Sequence, residues 1–179
     1  MRPDQATLPL LLPPLCNLAV KIFLAAPVER HMRVTLRFST LQCRRAFTAI
    51  GFVGSAAALL VAPLAARYGG APLAALSISL SLGFSAVQPS GFKANYLDAV
   101  SPANSGVASG IGNMLASGAS YALPLLVSYL LRAYASWDLV CAGVAVGNCL
   151  AAAFFVSSST VTPVDAAASL EAPLPGKEG

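Results

Sequence analysis

Charge is scarce in this chain of 179 residues: 10% are Asp, Glu, Lys or Arg and 56% are hydrophobic. Water-soluble domains carry about 25% charged residues. So small a polar complement cannot coat a globule in water, and a mean hydropathy of +0.71 directs the apolar residues to lipid. Carboxylates are missing from the long apolar runs, which leaves no residue for an intramembrane proton relay or protease dyad. Histidine occurs once, as His31 in an arginine cluster. A Ser-His-Asp arrangement would have to bring it to Asp98 or Asp138, and helix packing explains the many serines better. The four cysteines, Cys16, Cys43, Cys141 and Cys149, form no CxxC pair, which argues against a disulfide framework or a zinc site. Cys141 and Cys149 read as small packing residues. No Gly-rich loop follows a strand, so a nucleotide cradle is unsupported. These absences predict a chain that is not an enzyme and has neither catalytic residues nor a metal site.

The charge that is present is uneven. A net charge of +4 would suit nucleic acid, but Arg30, Arg33, Arg37, Arg44 and Arg45 crowd together just before the first long charge-free run. That is the place of a positive-inside membrane flank, so the expected partner is the lipid bilayer and not a nucleic acid.

Spans of about 20 apolar residues predict an all-α membrane protein with about four transmembrane helices. Span A covers about 46–66, with Gly51, Gly54 and Ser55 near one another for close approach of a neighbouring helix. Arg67, Tyr68, Gly69 and Gly70 form the turn after it. Span B covers about 72–92. Its Ser77, Ser81, Ser85 and Gln88 recur at helical spacing and form one polar stripe. Such a stripe is either a pathway wall or a set of helix–helix hydrogen bonds, and the spacing alone does not choose. A short polar loop follows, with Lys93, Asn95, Asp98, Ser101, Pro102 and Asn104. Span C covers about 105–130 and opens on rows of small residues that include Gly106, Gly110 and Gly112. Glycine costs about 1 kcal/mol in a helix relative to alanine, and helix packing is the compensating benefit expected. Asn113 lies among these glycines and Pro124 should kink the second half. Span D covers about 137–156; Trp137 sits where an aromatic belt residue belongs, and Gly143 and Gly147 form a GxxxG pair.

The flanks divide the chain into three parts. Residues 1–40 read as a poorly defined segment: a targeting leader, an additional span, or the start left by truncation. Pro9, Pro13 and Pro14 should break any helix there. Residues 41–157 hold the four-helix transmembrane region, and 158–179 read as a disordered tail. An even number of spans puts both ends on one face, which the arginine-rich flank assigns as cytoplasmic or stromal.

Four such spans look like the end of a twelve-helix transporter, and particular residues sharpen the likeness. FSTLQCRRAFTAIGF (38–52) resembles the opening of the ninth helix of the anion/cation symporter family of the major facilitator superfamily, the family of sialin, the vesicular glutamate transporters, and the type I sodium–phosphate and plastid phosphate transporters. SGFKANYLDAVSP (90–102) resembles its Gly-x-x-x-Asn-x-x-Asp-x-x-Pro junction between helices ten and eleven, with one extra residue between Asp98 and Pro102. GVASGIGNMLAS (106–117) is similar to its Gly-rich entry to helix eleven, and Trp137 falls where its twelfth helix starts. The resemblance covers about 38–157 and implies helices nine to twelve of an incomplete major facilitator fold. It implies secondary active transport of a small anion, phosphate or a carboxylate, with sodium or protons as coupling ion and no other cofactor. Substrate in this superfamily sits between two six-helix halves, so the N-terminal half becomes an expected partner. Ser81, Ser85, Gln88 and Asn113 are then expected to line the substrate pathway, and Asn95 and Asp98 to belong to a gating loop. The membrane is plasma, vesicular or plastid. The rival reading is a small four-helix membrane interaction or assembly protein without transport activity.

Overall fold

The structure is a computed structural model that describes residues 3–163. In hydrocarbon every backbone N–H and C=O needs a partner within its own segment. The described residues accordingly form helices and short turns, with no strand among them. Helix α1 is Pro3–Val20, followed by a π-helical turn at Lys21–Ala25 and α2 at Ala26–Val34. Helix α3 is Thr40–Ser85; a second π turn, Pro89–Lys93, leads into α4, Ala94–Asp98. A 3-10 turn at Pro102–Asn104 precedes α5, Ser105–Tyr134, and α6 is Trp137–Ser158.

Four helical stretches are long and apolar enough to cross a membrane: Leu11–Val34, Thr40–Asp98, Pro102–Tyr134 and Trp137–Ser158. The second contains spans A and B together. A capping box starts it: Ser39 Oγ accepts from the Gln42 N–H at 3.2 Å and Gln42 Oε1 accepts from the Ser39 N–H at 2.8 Å. The chain then reverses at Gly70, whose φ of 62° and ψ of −157° lie in a region essentially confined to glycine. The two limbs of α3 pack back to back, at Gly51 against Phe84 and Gln88 and at Gly54 against Phe84. The small residues of span A thus make the close approach expected of them.

The first stretch departs from expectation. α1 runs unbroken through Pro9, Pro13 and Pro14. Proline within membrane helices is tolerated where neighbouring helices and local π adjustments re-satisfy freed backbone groups. The π turn follows at Lys21, and the α3 hairpin supplies the neighbour: Asn17 Nδ2 donates to the Leu82 carbonyl at 2.7 Å, and Cys16 and Val20 lie against Gly83.

Helix α6 packs along α3 and buries Val140, Ala145 and Ala152. Helix α5 buries no residue. The tightest apolar cluster, Met32, Cys43 and Phe47 with Ala46 and Val87 beside it, lies where α2, the start of α3 and the end of its second limb converge. Many large apolar side chains face outward, Leu60, Leu125 and Phe154 among them, as suits a chain whose solvent is lipid. Of the expected tail, Ser158 closes α6 and Ser159 and Thr160 are bonded back onto the helices. Residues 164–179 lie outside the described residues.

Candidate functional site

Polar side chains gather at the two ends of the bundle. Arg44 and Arg67 bracket the first limb of α3, 23 residues apart, or roughly 35 Å of helix at 1.5 Å per residue. That distance matches a hydrocarbon core of about 30 Å and its margins.

The Arg44 end is the richer. Arg44, one turn into α3, is 9% exposed and ties three segments together. Its Nε donates to Asp98 Oδ2 at 2.9 Å, and its Nη1 to Glu29 Oε1 at 3.0 Å and to the Ser90 carbonyl at 2.8 Å. Glu29 also pairs with Arg33 one turn along α2, at 3.1 Å. Arg45 points to the chain after α6: Nε donates to Ser159 Oγ and Nη2 to the Ser159 carbonyl, both at 3.0 Å. Asn95, 6% exposed, donates from Nδ2 to the Thr160 carbonyl at 2.7 Å. The end of α2, the start of α3, α4 and the segment after α6 are therefore clasped by two arginines and an asparagine. Close backbone contact permits the clasp: a Cβ on Gly91 would collide with Thr48 Oγ1 and fall 3.0 Å from the Arg44 carbonyl. Thr48 Oγ1 is buried there without a hydrogen-bond partner.

At the opposite end Arg67 pairs with Asp138 on the first turn of α6. Trp137 and Tyr134 lie exposed beside the turn. The pair and the two aromatics form a polar and aromatic rim.

Each residue expected from sequence has a definite place. Asn95 and Asp98 come together at the clasp. Two members of the span B stripe, Ser77 and Ser81, bond to the first limb of α3. Ser81 and Ser55 share a buried hydrogen bond at 2.7 Å, and Ser77 Oγ donates to the Ala58 carbonyl at 2.7 Å. Ser85 donates to the Leu82 carbonyl of its own helix, and Gln88 packs its Cγ against Gly51. Asn113 is exposed on α5, away from the other three. Gly106, Gly110, Gly143 and Gly147 have no neighbour within 4 Å, while Gly112 meets the Tyr96 ring at 3.4 Å. Within the described residues, Gly112 alone of these five meets a neighbour, while Gly51 and Gly54 make the close approach expected of span A and Gly91 makes one that was not expected. Sequence reasoning missed Arg44 as the hub. The available signal was the adjacency of two arginines to a charge-free run and the rarity of acids to pair with them.

No family model and no curated protein matches the chain.

Proposed function

We propose that the chain is the C-terminal part of a major facilitator-type secondary transporter that moves small anions, phosphate or carboxylates, coupled to sodium or protons. The observation that carries this reading is the meeting of its two most distinctive stretches. Residues 38–52 and 90–102 both resemble anion symporter motifs, and Arg44 of the first bonds to Ser90 and Asp98 of the second. A clasp that joins several helix ends at one face suits a half-transporter that rocks as a body against its partner half. Arg30, Arg33, Arg37, Arg44, Arg45 and Lys93 all belong to this end, against Arg67 and Arg132 at the other, so the clasp faces the cytoplasm or stroma. The stretch Leu11–Val34 lies ahead of the counterpart of helix nine and takes the place of the helix before it. Five traverses then put Pro3 and Pro163 on opposite faces.

Sequencing of the transcript upstream of Met1 tests the proposal. It should show about seven further apolar spans in frame, and the complete product should take up phosphate or a carboxylate into liposomes down a sodium or proton gradient. An in-frame stop directly upstream, with a native product of 18.2 kDa, overturns it. One observation favours a second reading, an assembly module: α5 is uncovered and its Gly106 and Gly110 meet nothing. A defined homo-oligomer of the purified chain on blue native gels supports that reading, and aggregation supports the transporter fragment.

A further inference from the structure

Lys21 is a cation inside the apolar stretch Leu11–Val34. It opens the π-helical turn Lys21–Ala25 and is exposed; single π turns inside α-helices recur at functional positions. Cys16, Val20, Leu24 and Val28 form the row of this helix that lines an apolar groove with Phe47, Ile50 and Gly83. Lys21 stands off that row. Its depth follows from its neighbours. Val20 lies against Gly83, and Glu29, eight residues on, reaches Arg44. Lys21 therefore sits roughly 12 Å inside the Arg44 clasp and about 20 Å from the Gly70 end, at 1.5 Å per residue. A helical side chain leaves its Cα tilted toward the helix N-terminus, which for this helix is away from the nearer, Arg44 end. The lysine thus starts in the direction opposite to the one snorkelling requires.

None of the acids whose side chains are described answers it. Glu29 pairs with Arg33 and Arg44, Asp98 with Arg44, and Asp138 with Arg67. An ionisable group at membrane depth is costly and is by default a candidate for a functional site. We propose that Lys21 is the cationic contact of an oxyanion site in the membrane interior, built to take the phosphate group of free inorganic phosphate or of an anionic lipid. The inference rests on the transporter reading for the free-phosphate source.

The test uses the full chain in phosphatidylcholine nanodiscs with radiolabelled inorganic phosphate, compared with Lys21→Met and Lys21→Arg. The wild type should bind phosphate saturably, Lys21→Arg should stay close to it, and Lys21→Met should bind about tenfold or more weakly, as loss of a charge-assisted contact implies. Adding phosphatidylglycerol separates the sources: phosphate binding that persists marks free anion as the ligand. Phosphate binding that falls, with phosphatidylglycerol retained on wild type and lost on Lys21→Met in native mass spectrometry, marks the lipid. Lys21→Met removes a lone charge from an apolar helix, so its melting temperature without phosphate should not fall, and the loss of binding cannot then come from unfolding. Equal binding by wild type and Lys21→Met overturns the proposal alone. Binding of neither phosphate nor phosphatidylglycerol by the wild type overturns it and counts against anion transport as well.

Discussion

Arg44 and Asp98 are joined by a 2.9 Å hydrogen bond across 54 residues of sequence. The bond closes the loop that begins at the foot of one membrane-crossing limb and ends at the foot of the next. The Arg44 side chain is 11% exposed and that of Asp98 is 32%, so the pair is neither fully screened by water nor sealed from it. Loss of one member from a sealed pair costs about 3–5 kcal/mol, and from an exposed pair about 1 kcal/mol or less. Arg44→Ala also leaves the Ser90 carbonyl without its donor and Glu29 with Arg33 alone, and it should destabilise the chain in detergent by about 2 kcal/mol. Asp98→Asn should cost about 1 kcal/mol, and the double variant should cost less than the sum by about 1 kcal/mol. Strict additivity in that cycle would mean that the contact contributes nothing.

Gly91 and Gly110 should respond to alanine with opposite signs. At Gly91 the new Cβ meets Thr48 Oγ1, lies 2.7 Å from the Thr48 backbone nitrogen and 3.0 Å from the Arg44 carbonyl. Two of these three are backbone atoms that cannot swing aside. Overpacking of this kind costs about 1–3 kcal/mol, and the melting temperature of Gly91→Ala should drop accordingly. At Gly110 nothing lies within 4 Å, so alanine gains its helix propensity of about 1 kcal/mol and should stabilise the isolated chain. A destabilised Gly110→Ala would reveal a neighbour that covers α5.

Ser55 and Ser81 share the buried hydrogen bond of the α3 hairpin. Hydrogen bonds between membrane helices average about 0.6 kcal/mol and reach about 1.7. Ser81→Ala leaves Ser55 with an unmatched hydroxyl, so the single variant should cost about 1 kcal/mol, and Ser55→Ala together with Ser81→Ala should cost little more. Steric-trap or denaturant unfolding in micelles reads the difference. If the double variant loses twice what either single does, the two hydroxyls have separate partners.

Much of this architecture is legible from the residues. A charge-free run flanked by arginines marks α3, Gly69-Gly70 marks its reversal, and Trp137 marks the start of α6, because hydropathy and turn chemistry act locally. The first helix was not legible. Pro9, Pro13 and Pro14 are breakers in water, and the segment on which the later part of the helix packs lies more than 60 residues away at Leu82 and Gly83. The polar stripe of the second limb shows the same limit. Its period fixes that Ser77, Ser81 and Ser85 share a side, but only the turn at Gly70 decides that Ser77 and Ser81 meet Ala58 and Ser55. The Arg44 clasp depends on three segments brought together by the whole fold, which no local pattern encodes.

The position of that first helix can be fixed by chemistry. Cys16 is a free cysteine, and its Sγ lies 3.1 Å from where a Cβ on Gly83 would stand. In a Cβ–S–S–Cβ bridge each sulfur lies about 3 Å from the opposite Cβ, and the Cys16 sulfur stands close to that distance from the Gly83 position. In a chain whose Cys43, Cys141 and Cys149 are replaced by alanine, Gly83→Cys should therefore oxidise to an intramolecular crosslink. It should close under mild oxidant in detergent and in bilayers alike, visible as a mobility shift reversed by dithiothreitol. Gly110→Cys in the same background should stay reduced, because nothing approaches that position. The extra Cβ at Gly83 also tightens the contact, so some loss of stability in the reduced form, about 1 kcal/mol, should be regained on oxidation as the crosslink closes a 67-residue separation. If Gly83→Cys remains reduced while the α3 hairpin is intact, α1 does not pack on the second limb, and the depth assigned to Lys21 goes with it.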